Sequence, residues 1–454
     1  MGTTSRGNKP NEWAAKINHT HIINDPFIKN FISNCFLPKD VDEIDIKSEQ
    51  IFEKLLPTNN PIQHFLAVDG GYTIVEPKKQ FPSAQFAFFQ FGAILFGVDD
   101  VERLSEKPFI FPEDMKKLHN LQRFKLALPI KNILSHNQES LKNSIRKTLY
   151  DFFMISRDHS TFMETLKWFI FQEYSDSPKD TYSLSNDPNL DISTGTGSFE
   201  LKKEKMNADY TFDSPNGKVY LTDVFRLHEA VDEEHGAGGI LGYLTRLIEQ
   251  LIIVHFIKYI YAYQATLLNS FLFITDGPLS FSGQTANMHK PMRNLCNFLK
   301  EKHNLFLVGL EKSGPFVEHA QQISLNPKGD PILKNGEYFL LSNNYTYKYI
   351  TPGDPTKMHY GSTSYYGGKI IFHSDDNQIF VLTVPTTDKD SNLVPHKKNY
   401  KNLEVILLNI QKLKCHMYDD SIIPIALANK LVSLANHPSK VLLDKFVAAS
   451  LKSD

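Results

Sequence analysis

Two apolar segments that each end at an aspartate followed by glycine place the strongest constraint on the fold of this chain. They read "HFLAVDGGYTIV" at 64–75 and "SFLFITDGPLSF" at 270–281. A charged carboxylate at the end of a buried strand is costly unless it is paired, hydrogen-bonded or bound to a metal. Because Asp69 and Asp276 have the same setting, we expect both aspartates to share one site.

The glycine after each aspartate has two interpretations. Asp-Gly is a common turn dipeptide, so either aspartate on its own could be only a turn residue. Glycine also lacks a Cβ, which lets a ligand or another backbone approach closely. The second interpretation predicts a metal-bound phosphate beside Asp69 and Asp276.

A third acid, Glu249, lies inside a long apolar helix predicted for 239–268. At helical spacing its neighbours are four large apolar residues: Leu241, Ile252, Ile253 and Phe256. A salt bridge with Arg246 or Arg226 is one explanation for an acid on such a face. The other is that Glu249 is a third ligand beside the two strand ends. Carboxylate oxygens suit Mg²⁺ or Mn²⁺ rather than zinc, and no convincing Cys/His cluster competes.

Composition and charge leave the class of partner open but favour a reducing compartment. The 49 Lys and Arg residues nearly balance the 51 Asp and Glu residues, so no overall field attracts nucleic acid or an anionic membrane. The three cysteines are far apart in the sequence, which argues against a disulfide framework. Residues 240–274 are apolar but contain several charged residues, which predicts a buried helix rather than a membrane span. With no secretory signal visible at the N-terminus, we expect a cytoplasmic protein.

The order of apolar and polar segments predicts a mixed α/β fold, with a mixed sheet flanked by helices. Helical spacing is expected over 10–56 and again over about 112–173, and a hairpin is expected over 365–385. The predicted domain organisation has three parts: an N-terminal helical extension at 1–60, a main domain formed by 61–100 and 221–454, and an inserted helical and loop region at 101–220.

Five segments resemble the NurA nuclease family in their order and spacing. They are "LAVDGGY", the helix with "RLIEQL", "LFITDGPLSF", "LVGLEKSG" and "YYGGKIIFHSDDNQIFVLTVP". The resemblance covers roughly 60–100 and 225–435. It implies an RNase H-like sheet with a carboxylate cluster that binds Mn²⁺ or Mg²⁺. It also implies a homodimer that works with the hexameric HerA DNA translocase in DNA end resection, a DNA-repair step, or in phage defence.

The resemblance assigns roles to residues at matching positions. Asp69 and Asp276 match the two strand aspartates, Glu249 matches the helix glutamate, and Lys312 in "GLEKSG" matches the lysine after the next strand. The last motif, "SIIPIALANK", departs from the family because Asn429 replaces a histidine and Ser421 a tyrosine. Asparagine offers a neutral oxygen but cannot transfer a proton as imidazole can.

The predicted function is hydrolysis of DNA phosphodiesters at two divalent ions, with Asp69, Glu249 and Asp276 as metal ligands and Lys312 and Asn429 as further catalytic residues. The basic segment "HKKNYK" at 396–401 is the preferred candidate for a DNA path, with Tyr400 available for stacking. Two alternatives remain: a non-catalytic NurA-like subunit that docks on a DNA translocase, and an unrelated carboxylate-metal phosphohydrolase.

Overall fold

The structure is a computed structural model of the chain. It describes residues 21–40, 43–44, 51–57, 59–78, 81, 83–100, 121–157, 160–190, 197–325, 331–387, 389–415, 421–434, 442–443, 445–447 and 450. The helical spacing predicted before residue 21 lies outside these residues.

The described residues form a central sheet of nine strands. The strands are β1 (Ile51–Glu53), β2 (His64–Val75), β3 (Gln85–Gly97), β4 (Leu121–Lys131), β5 (Phe271–Asp276), β6 (Phe306–Glu311), β7 (Glu337–Leu340), β8 (Gly367–His373) and β9 (Ile379–Pro385). Their order across the sheet is β1-β7-β8-β9-β6-β5-β2-β3-β4. Three two-stranded ribbons lie outside this sheet, all between residues 156 and 220.

The strand directions identify the half of the sheet that holds the candidate site. Strands β2, β3 and β4 are antiparallel neighbours, and β2 is followed across the sheet by β5 and β6, which run parallel to it. Three antiparallel strands followed by two parallel ones are the arrangement of an RNase H-like sheet. The predicted mixed sheet is therefore confirmed, and the remaining strands extend it by antiparallel pairing.

The described residues also form α-helices. They are α1 (Pro26–Ser33), α2 (Leu141–Met154), α3 (Phe162–Ile170), α4 (Leu241–Gln264), α5 (His289–His303), α6 (Pro315–Leu325), α7 (Asn343–Tyr349), α8 (Leu403–Lys412) and α9 (Ile423–Val432). Helix α1 has no buried residue, whereas others cover both faces of the sheet. Helices α2 to α5 share one apolar core with β2, β3 and β4. Helices α8 and α9 share a second core with the opposite face of the sheet.

Helix α4 runs through the first core, as predicted for the long apolar segment. The stretch Gly238–Ser270 is long and apolar enough to cross a membrane by length and composition, but 67% of its most apolar window is buried inside the protein. Burial against β2, β3 and α3 accounts for its apolar surface. The prediction of a buried helix is confirmed.

Two predicted helical segments are strands instead. Ile51–Glu53 of "SEQIFEKLL" forms β1 and pairs with β7 at the sheet edge. Within the segment expected to be helical from 112 to 173, Leu121–Lys131 forms β4 and pairs with β3. Part of the predicted 101–220 insertion therefore belongs to the central sheet, while α2 and α3 confirm the helices predicted further along the chain.

Candidate functional site

The two strand aspartates lie side by side because their strands are parallel neighbours. Val68 of β2 is paired with Thr275 of β5, so the residues that follow, Asp69 and Asp276, are adjacent. Alternation along each strand places both on the face covered by α8 and α9, since Ala67 and Ile274 belong to that core. The predicted meeting of the two aspartates is found, but the predicted glycine turn after Asp69 is wrong. Strand β5 ends at Asp276, whereas β2 continues through Asp69 and the two glycines to Val75, paired with β3.

Glu249 reaches the same place from the opposite face of the sheet. It lies on α4, is 5% exposed, and approaches the sheet at Gly70. A Cβ on residue 70 would lie 3.0 Å from the Glu249 Oε1 atom and 2.6 Å from the ring of Phe91. The absence of a side chain at Gly70 therefore leaves space for the Glu249 carboxylate to approach Asp69 from the helix layer.

The three acids line one open cavity of about 380 Å³. Arg246 of α4 also lines it. The remaining lining residues lie in β2 or at and just after the ends of β5 and β6: Gly70, Gly277, Pro278, Glu311, Lys312 and Ser313. Four of the five site residues predicted from sequence, all except Asn429, therefore lie in a single lining.

Two basic residues are paired with two of the three acids. The Lys312 Nζ atom lies 2.7 Å from the Asp276 Oδ2 atom. The Arg246 Nη1 atom lies 3.2 Å from the Glu249 Oε2 atom and also donates to the backbone carbonyl of Asp276. The salt bridge of Glu249 with Arg246 that the sequence suggested is thus present, whereas Arg226 is paired with Glu229.

Asp69 differs from the other two acids. It is 5% exposed, and its Oδ1 atom accepts a hydrogen bond from the Gly70 N–H at 2.8 Å. Within the described part of the chain, no lysine, arginine or histidine forms an ion pair with it. Of the three acids, Asp69 is therefore the one without an ion pair among the described residues.

Burial and mutual repulsion change the proton affinity of two of these acids. Burial, reinforced by the nearby Asp276 carboxylate, raises the pKa of Asp69 to about 7, although Lys312 and Arg246 oppose the shift. Burial is also the main reason that the pKa of Glu249 is raised to about 8, and Asp69 and Asp276 add to it while Arg246 opposes it. Both acids therefore bind a proton more readily than carboxylates in water do, mainly because they are buried.

Gly277, the glycine after Asp276, has a structural role at the site. Its φ angle is +85°, which is in the left-handed region that favours glycine, and a Cβ there would collide with the guanidinium group of Arg246. Glycine at 277 thus lets Arg246 lie against the end of β5 and reach both Glu249 and the Asp276 carbonyl.

A fourth carboxylate in the lining, Glu311, was not singled out from the sequence. It ends β6 and forms an ion pair with Lys369 of β8, which is 5% exposed and lies with its Nζ atom 3.9 Å from the ring centroid of Phe316. The sequence feature that could have identified Glu311 as a site residue is its position directly before Lys312 in "GLEKSG". The pairing with Lys369 depends on the neighbouring order of strands, which one sequence does not reveal.

The donor atoms of the site fit a divalent cation in type but are not yet arranged around one. Carboxylate oxygens are the ligands that Mg²⁺ and Mn²⁺ prefer, and Asp69 combines deep burial with the absence of a paired cation. Over the described residues, no group of three or more His, Cys, Asp or Glu side chains is placed to hold a metal ion as it stands. The ion pairs of Lys312 with Asp276 and of Arg246 with Glu249 turn those carboxylates toward the basic side chains. Metal binding would therefore have to displace at least one basic side chain.

Two predictions about the C-terminal region find no support in the geometry. Asn429 is exposed on α9 and does not line the cavity. The end of the same helix packs on the sheet, where Val432 lies against Gly71 and Gly92. Tyr400, predicted to be available for stacking on DNA, is 3% exposed and lies in the core beneath α8. The stacking prediction is wrong because the ring fills an apolar core position.

No protein-family model matches this chain, and no curated protein matches it in sequence. Among solved structures, the NurA nuclease from Sulfolobus solfataricus aligns with 97% of this chain and 98% of its own, at 10% identity and a TM-score of 0.33. A structure of NurA with manganese aligns with 96% of this chain and 95% of its own, at 10% identity and a TM-score of 0.28. A further NurA structure covers 95% of both chains at 12% identity and a TM-score of 0.29. TM-scores this low do not establish a common fold, so the fold assignment rests on the strand order of the sheet.

Proposed function

We propose that this protein is a divalent-metal-dependent nuclease that hydrolyses phosphodiester bonds of DNA. The observation that supports the proposal best is the convergence of Asp69, Glu249 and Asp276 on one cavity, from two parallel strands and the helix behind them. The resemblance of the sequence motifs to the NurA family supplies the substrate class. Asp69 is the acid with no paired cation among the described residues, and it is the expected principal metal ligand.

Mn²⁺ or Mg²⁺, with two ions expected, would be held by Asp69, Glu249 and Asp276. When bound, such ions lower the pKa of a water molecule and neutralise charge on the phosphate and the leaving oxygen. The chain's own residues do the positioning. Gly70 and Gly277 keep the entrance to the acids free of side chains, and the buried walls of β2 and α4 hold the carboxylates in place.

Lys312 is the expected contact for the substrate phosphate. Its side chain is 24% exposed, and its ammonium group already lies at the carboxylate cluster, 2.7 Å from Asp276. Once Asp276 has another cation to balance it, Lys312 is free to bind a non-bridging phosphate oxygen and stabilise charge that develops there. For Asn429 the proposed catalytic role rests on the sequence resemblance alone.

The proposed partners and setting also rest on the sequence resemblance. They are a HerA-like hexameric ATPase, a second copy of this chain, and a cytoplasmic role in DNA repair by end processing or in antiviral defence. Mass measurement of the purified protein in solution tests the homodimer. Co-purification with a HerA-like ATPase encoded beside its gene tests the translocase partnership.

A non-catalytic subunit is the second candidate, and specific observations favour it. Arg246 and Lys312 neutralise two of the three acids, and Ser421 and Asn429 replace the tyrosine and histidine of the resembling motif. Such a protein would bind DNA and a translocase while its own site stays inactive. A carboxylate-metal phosphohydrolase with a nucleotide substrate is the remaining alternative.

The deciding experiment incubates the full-length protein with labelled single- and double-stranded DNA in Mn²⁺, in Mg²⁺ and in EDTA. We expect metal-dependent cleavage that Asp69→Asn abolishes and that Asp151→Asn, a change at an exposed residue of α2, leaves intact. Full cleavage by Asp69→Asn would refute the assignment. DNA binding without cleavage, with and without the translocase, would favour the scaffold, and nucleotide hydrolysis without DNA cleavage would favour the phosphohydrolase.

A further inference from the structure

A second cavity, of about 340 Å³, lies away from the acidic site, between the region after α3 and the start of α5. Its lining is largely polar and includes Gln172, Lys179, Tyr182, Arg226, Asn287 and Lys290. A volume of this size lies within the range of about 300–1,000 Å³ typical of small-molecule sites. None of the proposed catalytic residues contributes to it.

The charge of this lining has one sign. Lys179, Arg226 and Lys290 contribute three cationic groups, and no acidic residue belongs to the lining. Arg226 is held in place by Glu229, which accepts from its Nε atom at 2.9 Å and from its Nη2 atom at 2.6 Å. This pairing fixes the guanidinium plane and leaves the Nη1 group available to a ligand.

Two neutral side chains of the lining, Tyr182 and Gln172, have hydrogen-bond donors available to a ligand. The amide nitrogen of Asn287 already donates to the Tyr182 hydroxyl and to the Val224 carbonyl, and its Oδ1 atom is a buried acceptor with no partner among the described residues. Asn287 donates to the Tyr182 hydroxyl oxygen at 2.8 Å, so the hydroxyl hydrogen of Tyr182 is left for another acceptor. Gln172 is 9% exposed and has a φ angle of +50°, and its side-chain amide makes no hydrogen bond to any described residue. The amide is accessible from the cavity, so its hydrogen-bonding groups are available to a ligand.

We propose that this cavity binds a phosphate group. Three cationic side chains in one lining, one of them paired with Glu229, together with an amide and a hydroxyl donor match the several acceptor oxygens of a phosphate. The cavity is larger than a free phosphate ion, so the group belongs to a larger molecule, either a mononucleotide or a DNA strand. Only the DNA source relates to the proposed nuclease function, and phosphate binding itself does not depend on that function.

The test measures binding of thymidine 5′-monophosphate, and separately of a single-stranded oligonucleotide without a terminal phosphate, to the full-length protein in EDTA. Gln172→Glu is the sharpest variant, because it keeps the side-chain shape and brings a negative charge beside the three cations. Lys290→Met removes one cation from the rim. Lys302→Met, on the same helix α5 but outside the lining, is the matched control.

If a mononucleotide is the source, thymidine monophosphate binds and its Kd rises about tenfold or more in Gln172→Glu and Lys290→Met but not in Lys302→Met. If DNA is the source, the mononucleotide does not bind. Oligonucleotide affinity then falls in both variants. In Lys290→Met the slope of log affinity against log salt concentration also decreases by about the contribution of one phosphate contact. Affinities of both ligands that are unchanged by Gln172→Glu and Lys290→Met, or no binding of either ligand, would overturn the proposal.

The Asp69→Asn variant separates this result from the nuclease proposal. Asp69 lines the acidic cavity and not this one. Asp69→Asn should therefore retain phosphate binding at the second cavity even where it abolishes cleavage.

Discussion

Replacing Asp69 with asparagine should stabilise the metal-free protein, because the site is arranged at the expense of stability. Asparagine has nearly the same shape, and its Oδ1 atom can still accept the hydrogen bond that Gly70 donates at 2.8 Å. No ion pair formed by Asp69 with a described residue is lost. The substitution therefore removes the buried charge and little else.

The magnitude follows from the pKa of Asp69. Burial and Asp276 raise it from 3.8 to about 7, and each pH unit of difference corresponds to about 1.4 kcal/mol. The ionised carboxylate therefore costs up to roughly 4 kcal/mol of folding free energy at pH 8. Relaxation of the neighbouring charges reduces the observable gain, and we expect Asp69→Asn to raise the free energy of unfolding by roughly 1–3 kcal/mol.

The pH dependence has a definite sign. Because the folded pKa is above the unfolded one, the folded protein binds more protons between pH 3.8 and about 7. Wild-type stability should therefore fall across that window, and the cost is fully present above pH 7. The advantage of Asp69→Asn should be near zero at pH 4 and reach its maximum above pH 7.

Urea unfolding in EDTA between pH 4 and 8.5 provides the assay, with the fluorescence of the buried Trp168 as a probe. Asp151→Asn, at the surface of α2, should show little change at any pH. Glu249→Gln should gain less than Asp69→Asn, because it also removes the ion pair with Arg246. A loss of stability in Asp69→Asn at pH 8, or a gain that does not vary with pH, would show that the buried Asp69 charge does not destabilise the folded protein.

Three further predictions concern the same cavity. Lys312→Met releases Asp276 and should tighten Mn²⁺ binding several-fold, as measured by calorimetry, while lowering cleavage at saturating Mn²⁺ about tenfold or more; weaker Mn²⁺ binding would contradict this. Gly277→Ala, at a φ of +85° and against Arg246, should lower the free energy of unfolding by roughly 1–3 kcal/mol in urea titrations, and an unchanged midpoint would argue against the packing described. Apparent Mn²⁺ affinity should be at least roughly tenfold weaker at pH 6 than at pH 8, because protons compete for Asp69, whose pKa is about 7, and for Glu249, whose pKa is about 8. An affinity that does not vary with pH would exclude both acids as ligands.

Much of the acidic site was predictable because strand direction alone brings distant residues together. Asp69 and Asp276 follow similar apolar segments, and these segments pair in parallel, so the two aspartates are adjacent. The sequence did not reveal that β2 continues past Asp69 to Val75, which leaves only Asp276 at a strand end. Glu249 could be added because an acid among apolar helical neighbours needs a partner. The geometry of Arg246 could not be predicted, since its contact with the Asp276 carbonyl depends on how α4 lies across the sheet.

The missed strands have identifiable physical causes. In β4 the buried positions Phe124, Leu126, Leu128 and Ile130 alternate with more exposed ones, which is a strand pattern. It was obscured by the strongly helical segments that follow it, and Pro129 is tolerated because β4 lies at a sheet edge. Strand β1 has only three residues, and pairing with β7 outweighs the helical preference of its sequence.

The second cavity could not be predicted from the sequence, for a different reason. Lys179, Arg226 and Lys290 are far apart in sequence and belong to no recognisable motif. Only the packing of the region after α3 against α5 brings them together. A basic site assembled from separate elements leaves no local signal in a chain whose total charge is nearly balanced.

Crystals of the full-length protein grown with Mn²⁺, examined by anomalous diffraction, are the most direct test of whether the three acids form a metal site. We predict an anomalous peak in the acidic cavity, coordinated by Asp69 together with Glu249 or Asp276, with Lys312 or Arg246 moved away from its carboxylate. Saturating Mn²⁺ with no peak in that cavity, and with both ion pairs intact, would contradict the assignment of these acids as a metal site.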